Sequence, residues 1–135
     1  MAFIHLQTHS EFSILRAPCR AKDLIKKALS EGQEALALTD HGNMFGILGF
    51  YMDALEINKE RKKEGLPPFN AIIGCHIYVD HPAADRKDET TYQRLTLLAE
   101  NTEGYYNLLR IVSDCYIEEK NWKEIPGVSL QSLQD

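Results

Sequence analysis

Apolar and polar positions alternate along residues 3–10 and then change period. Phe3, His5, Gln7 and His9 fall on one face of an extended chain, and Ile4, Leu6 and Thr8 on the other, which predicts a first β-strand. A turn from Glu11 to Arg20 follows, closed by Ala17-Pro18. Ala21, Leu24, Ile25, Ala28 and Leu29 then repeat at helical spacing, and Gly32 stands where a C-terminal cap belongs. Ala35 to Thr39 is a continuous apolar run, as in a strand buried on both faces of a parallel sheet. A second helix begins near Met44, with Ile47, Phe50, Tyr51, Ala54 and Leu55 as its apolar stripe. Gly65-Leu66-Pro67-Pro68 stops it. A third strand covers about Ala71 to Val79, where Gly74 suggests a bulge or a close backbone approach. A polar loop runs from Asp80 to Thr90, and a fourth strand from about Arg94 to Ala99. Asn101 or Thr102 caps a third helix with the stripe Tyr105, Leu108, Leu109, Val112 and Tyr116. The tail is weakly patterned, with Ser129 placed to cap one more helical turn.

The order β-α-β-α-β-β-α implies right-handed crossovers and an α/β fold with mainly parallel strands. In such folds chemistry gathers at the C-terminal ends of strands. His9, Asp40, His41 and His76 all lie at or near such ends, so three strands deliver imidazole or carboxylate to one rim. No glycine-rich phosphate loop is present, which makes dinucleotide and P-loop readings poor.

Composition narrows this further. The chain has 135 residues, of which 44% are hydrophobic and 26% charged, so it is one domain or part of one with an ordinary core. A net charge of -5 argues against a freestanding nucleic-acid binder. The one dense basic cluster, Lys59, Arg61, Lys62 and Lys63, reads as a solvated helix end. Three cysteines, none in a C-x-x-C pair, read as reduced thiols, with Cys75 a small buried filler. No run reaches the roughly 18 apolar residues of a membrane span. No secretory signal precedes the first strand, so the expected location is the cytoplasm. His5 is expected in the core and His81 in solvent.

The stretches H-L-Q-T-H-S-E-F-S-I-L (5–15), A-L-A-L-T-D-H-G-N-M-F-G (35–46), I-I-G-C-H-I-Y-V (72–79) and R-L-T-L-L-A-E-N-T-E-G-Y-Y-N-L-L-R-I-V-S (94–113) resemble the polymerase-and-histidinol-phosphatase (PHP) domains that begin bacterial DNA polymerase III alpha subunits. The resemblance implies the first half of a distorted PHP-type (β/α)7 barrel, with metals, often zinc or manganese, at its C-terminal rim. Residues 1–135 then form the N-terminal part of one PHP domain, without the rest of that domain or the polymerase domains. The family's H-x-H motif falls on Gln7 and His9, a further ligand position on Arg16, the Asp-His pair on Asp40 and His41, a glutamate on His76, and a later histidine on Arg94.

These exchanges predict a degenerate pocket of Gln7, His9, Arg16, Asp40, His41, His76 and Arg94. His9 and His41 remain as candidate ligands, and no residue is assigned a catalytic role. A polynuclear hydrolytic site needs a bridging carboxylate, and an amide is a feeble ligand. A fixed charge at about 4 Å and an effective dielectric of about 20 costs on the order of 4 kcal/mol against a like unit charge. The metal cluster is therefore expected to be lost or severely weakened, with Arg16 and Arg94 paired to Asp40 or Glu11. The resemblance implies a structural and docking role in the replicative polymerase, whose own DNA synthesis uses magnesium in a domain absent here. The implied partners are the rest of the alpha chain and the proofreading exonuclease subunit, with DNA reached only through the parent. An unpaired half-barrel edge also suggests a homodimer. The alternative is an active metal-dependent phosphoesterase or 3'-5' exonuclease.

Overall fold

The computed structural model describes residues 3–80, 93–117, 127–129 and 133. Its elements run α1 (Ala21–Ser30), β1 (Ala35–Leu38), α2 (Ile47–Lys63), β2 (Asn70–Asp80), β3 (Gln93–Leu98), α3 (Thr102–Ile117) and β4 (Gly127–Ser129). The fold is mixed α/β, and its sheet is built on β2. The first part of β2 pairs parallel with β1, from Ala35↔Asn70 to Leu38↔Ile73. Its later part pairs antiparallel with β3, from Gly74↔Leu98 to Val79↔Gln93. Its end pairs parallel with β4, from Tyr78↔Gly127 to Asp80↔Ser129.

The helices follow their apolar periods. Ile25 and Ala28 of α1 and Ile47, Phe50 and Ala54 of α2 pack with Leu36, Leu38 and Phe69 into one core. Cys75, Ile77 and Val79 of β2, Cys115 of α3 and Val128 of β4 form a second. Both α1 and α2 end as the sequence suggests. Gly32 and Gly65 take positive φ. The Gln33 N–H then reaches back to the Ala28 carbonyl at 2.9 Å, and the Leu66 N–H to the Arg61 carbonyl at 2.9 Å, satisfying carbonyls the helices leave open. The Asn101 side chain accepts the Gly104 N–H at 2.9 Å and so caps α3.

Three expectations need correction. Residues 3–10 do not form a continuous strand: the segment touches the sheet through one parallel bridge, His5↔Leu36. His5 is exposed rather than in the core, edge-on to Phe3 with ring centroids 4.6 Å apart. Ser129 ends strand β4, and the helical turn expected after it lies, apart from residue 133, outside the described residues. The stripe of α2 is narrower than expected, because Tyr51 and Leu55 face outward. Together with Leu48 and Met52 they leave an apolar band on that helix uncovered by the described residues. The expected loop at Asp80 to Thr90, and with it His81, lies outside the described residues beyond Asp80.

Gly74 explains how β2 changes partners. A Cβ there would meet the Leu97 carbonyl oxygen at 2.5 Å, Leu98 Cδ2 at 2.7 Å and Thr39 Cγ2 at 2.8 Å. The backbone approach anticipated from the sequence is real, and it is backbone that obstructs a side chain. Gly74→Ala is therefore expected to destabilise the chain by about 1–3 kcal/mol. Gly49→Ala, where a Cβ meets nothing within 4 Å on α2, should instead stabilise it by roughly 0.5–1 kcal/mol. Urea unfolding of the two variants beside the parent chain measures both shifts, and their opposite signs make the comparison self-controlled.

Candidate metal centre

The centre forms where β1 leaves β2. The β1 ladder ends at Leu38↔Ile73. The chain continues through Thr39, Asp40 and His41 and rejoins β2 at the parallel bridge His41↔His76. The His76 N–H donates to the Asp40 carbonyl at 3.0 Å, and the Gly42 N–H to the His76 carbonyl at 2.8 Å. On the other side of β1, the N-terminal segment is tied down by individual bonds. The Ala37 N–H donates to the His5 carbonyl at 2.9 Å and the Thr39 N–H to the Thr8 carbonyl at 2.8 Å. The Thr8 hydroxyl also donates to the Ala37 carbonyl. Three separate pieces of chain thus present His9, His41 and His76 to one point.

The His9 and His41 rings are stacked with centroids 4.3 Å apart and planes 11° from parallel. His76 lies 4.5 Å from His41 and 5.8 Å from His9, centroid to centroid. One nitrogen from each ring falls within 4.8 Å of the others. His76 is buried and the other two are half-buried. His9 Nε2, His41 Nδ1 and His76 Nε2 are all shielded from solvent and lack a hydrogen-bond partner. Buried polar atoms are seldom left so. Three clustered imidazoles with open nitrogens are the donor set that zinc and related divalent metals take, so the residues fit a single ion.

Electrostatics keep the rings neutral, which is the ligating form. Burial pushes the His41 pKa down to about 4, and His9, His76, Arg16 and Arg94 push in the same direction. Burial is also the main cause that lowers His76, aided by His9, Arg94 and Arg16. His9 is lowered by burial against the opposing pull of Asp40. Arg16 and Arg94 thus lower the same imidazole pKa values although both residues are exposed. The Arg94 guanidinium also lies over the Tyr78 ring, 6.0 Å from its centroid.

The Asp40 carboxylate is almost fully buried, and it accepts bonds from hydroxyl and amide donors of the N-terminal segment. The Ser10 N–H donates to Oδ1 at 2.6 Å, the Ser10 hydroxyl to Oδ2 at 2.6 Å, and the Ser13 hydroxyl to Oδ1 at 2.6 Å. The Ser13 oxygen in turn accepts the His41 N–H at 3.1 Å. Glu11 lies beside Arg20, whose Nε is 3.8 Å from its carboxylate. Neither serine was singled out in the sequence. The available signal was a small hydroxyl residue directly after His9 and a second three positions on. Gln7 is exposed along its stem, yet its amide nitrogen lies 2.7 Å from His76 Nδ1. Cys75 is a buried filler as expected, with its thiol pushed up to about 12 by burial.

The sequence profile of the PHP domain matches residues 5–135. The chain is 43% identical over 127 residues to the DNA polymerase III subunit alpha of Treponema pallidum, an alignment covering 91% of this chain and 10% of that protein. It is 38% identical over 120 residues to the Borreliella burgdorferi subunit, covering 86% of this chain and 10% of that protein. It is 36% identical over 142 residues to the Thermus aquaticus subunit, covering 100% of this chain and 11% of that protein. The chain thus spans about a tenth of the length of these curated relatives. None of the helices among the described residues is long and apolar enough to cross a membrane.

Two outcomes follow from this geometry. Asp40→Ala removes a charged acceptor shared by several buried donors, each such bond contributing roughly 1.5–3 kcal/mol, so a loss of about 3 kcal/mol or more is expected in urea unfolding. The second concerns pH, with chelator present. The folded His41 pKa of about 4 lies below the ordinary 6.5, so the unfolded chain takes up that proton first. Stability should be unaffected by His41 above pH 6.5 and should fall as the pH drops from there toward about 4. Thermal midpoints across that window check this, and His41→Gln should flatten the slope.

Proposed function

The chain belongs to the PHP domain family, and from that membership we propose that it is the N-terminal part of the PHP domain of a replicative polymerase alpha chain, serving as scaffold and docking element. The observation that carries this reading is the composition of the centre. Among the described residues its donor set is three imidazoles, while the adjacent carboxylate of Asp40 is turned into Ser10 and Ser13. A two-metal hydrolytic site needs carboxylates to bridge its ions and neutralise their charge. Three neutral nitrogens suit one borderline-soft ion, zinc before manganese, since manganese favours oxygen donors.

A single ion held by His9, His41 and His76 would join the N-terminal segment, the end of β1 and the middle of β2. The N-terminal segment has no ladder of its own, so it has the most to gain. Ligand binding to the folded state alone raises stability by mass action. In this reading the barrel is completed by further residues of the PHP domain. The rest of the alpha chain and the proofreading exonuclease subunit are the partners, and DNA synthesis with its magnesium resides elsewhere in the parent. The acidic balance of -5 agrees with leaving DNA contact to other parts.

One observation favours a second reading. Arg16 and Arg94 both lower the His41 and His76 pKa values through their charge, and a metal with an open position near cationic side chains is an arrangement that stabilises a phosphoester transition state. Metal analysis and activity separate the two. The scaffold reading expects one zinc per chain, a raised thermal midpoint that His41→Ala abolishes, and no hydrolysis of single-stranded DNA or p-nitrophenyl phosphate above the His41→Ala control. Hydrolysis that depends on His41 would instead establish the phosphoesterase. No uptake of zinc or manganese by the parent chain would remove the metal from both.

A further inference from the structure

We infer that Gln7 is the positioning residue of the centre, acting through His76 by choosing which ring nitrogen carries the proton. This rests on the three-histidine reading above. The geometry is specific. The Gln7 amide nitrogen lies 2.7 Å from His76 Nδ1. The Thr96 hydroxyl is the other neighbour of that nitrogen, at 3.4 Å. His76 Nε2, on the opposite side of the ring, is buried and without a partner. The backbone beside Gln7 is fixed, because the Thr8 N–H and carbonyl both bond the Thr39 hydroxyl, at 3.1 and 3.0 Å. The amide is therefore held at the mouth of the centre although its stem is exposed.

A neutral imidazole carries one proton. With the amide NH2 turned to Nδ1, the ring nitrogen accepts, and the proton must sit on Nε2, where it blocks a metal. With the amide oxygen turned to Nδ1, that nitrogen keeps the proton and donates it, and the lone pair of the buried, unpartnered Nε2 is left open for a metal. A half-turn of the amide exchanges the two states, since its oxygen and nitrogen are nearly equal in size. Ligating histidines in general donate their other N–H to an oxygen acceptor, which fixes tautomer and ring orientation. Glutamine can supply that acceptor and can also withdraw it. A divalent ion thus loads onto His76 only with the Gln7 oxygen turned inward, and emptying the centre lets the amide turn back.

The test uses zinc alone, titrated into the 135-residue chain in competition with a chromophoric chelator, with nitrogen NMR of the histidine rings as a second readout. Gln7→Leu keeps the bulk and removes the acceptor. It should weaken zinc binding by about 10- to 100-fold with an unchanged urea midpoint. Gln7→Glu, an acceptor only, should restore or tighten binding and hold His76 in the Nδ1–H form even without zinc. In a His76→Ala background the effect of Gln7→Leu should vanish, which an electrostatic or merely structural role would not produce. Equal zinc affinity and unchanged ring spectra in Gln7→Leu overturn the inference while leaving the metal reading intact. Failure of the parent chain to take up zinc overturns both.

Discussion

Asp40 is the constraint on which the rest of this structure depends. A carboxylate removed from water must be matched by donors, because leaving a buried charge without partners costs several kcal/mol. Here the donors come from the N-terminal segment: the Ser10 amide and hydroxyl and the Ser13 hydroxyl. The same residue holds β2 from its backbone side, where its carbonyl accepts the His76 N–H and the Cys75 thiol, the latter at 3.4 Å. One residue therefore fastens three pieces of chain, and each of them carries a histidine of the centre. The N-terminal segment has only scattered bonds to β1, so its path near His9 is set more by this carboxylate than by sheet pairing.

The charges around the centre pull in two directions. Arg16 and Arg94 hold the imidazoles neutral, which frees their lone pairs. The same positive field opposes a divalent cation. Magnitudes favour the donors. Both arginine side chains are exposed, where water and salt reduce a pairwise charge effect to about 1 kcal/mol or less. Burial, and not the arginines, is the first cause of the lowered histidine pKa values. Asp40, itself not a ligand, lies near enough to His9 to pull the other way. The cost of about 4 kcal/mol that a partly buried like charge would impose does not transfer to arginines in solvent.

Much of the fold could be read from local periods. The helices, their capping glycines at Gly32 and Gly65 and the tight approach at Gly74 follow from backbone rules that act within a few residues. The first strand misled because alternation reports side-chain direction and not whether a neighbour supplies a ladder. Its apolar residues Phe3 and Leu6 stay exposed. The two serines around Asp40 were hidden for a related reason. Only the turn after His9 brings their hydroxyls to the carboxylate. At Gln7 the comparison with a ligand position suggested a loss. The folded chain places its amide nitrogen 2.7 Å from His76 Nδ1, the contact on which the proposed positioning role rests.

The position of the centre follows from the topology of β2. Since β3 occupies one edge of that strand, β1 and β4 must share the other, β1 at residues 70–73 and β4 at 78–80. Between them, among the described residues, the edge is bridged at His41↔His76. A gap in a ladder leaves peptide groups that need partners, and the loop after β1 supplies them with its own backbone. Its side chains are thereby released to face inward beside His76. Gly74 makes the gap workable by letting β3 and Thr39 crowd the strand from both sides just before it. The bridge keeps the register of the β1 ladder, Leu38↔Ile73 and then His41↔His76, so His41 stays opposite His76 beyond the point where regular pairing stops. The register thus brings two of the rings together, and the buried Asp40 carboxylate beside them ties down the segment that carries the third, His9.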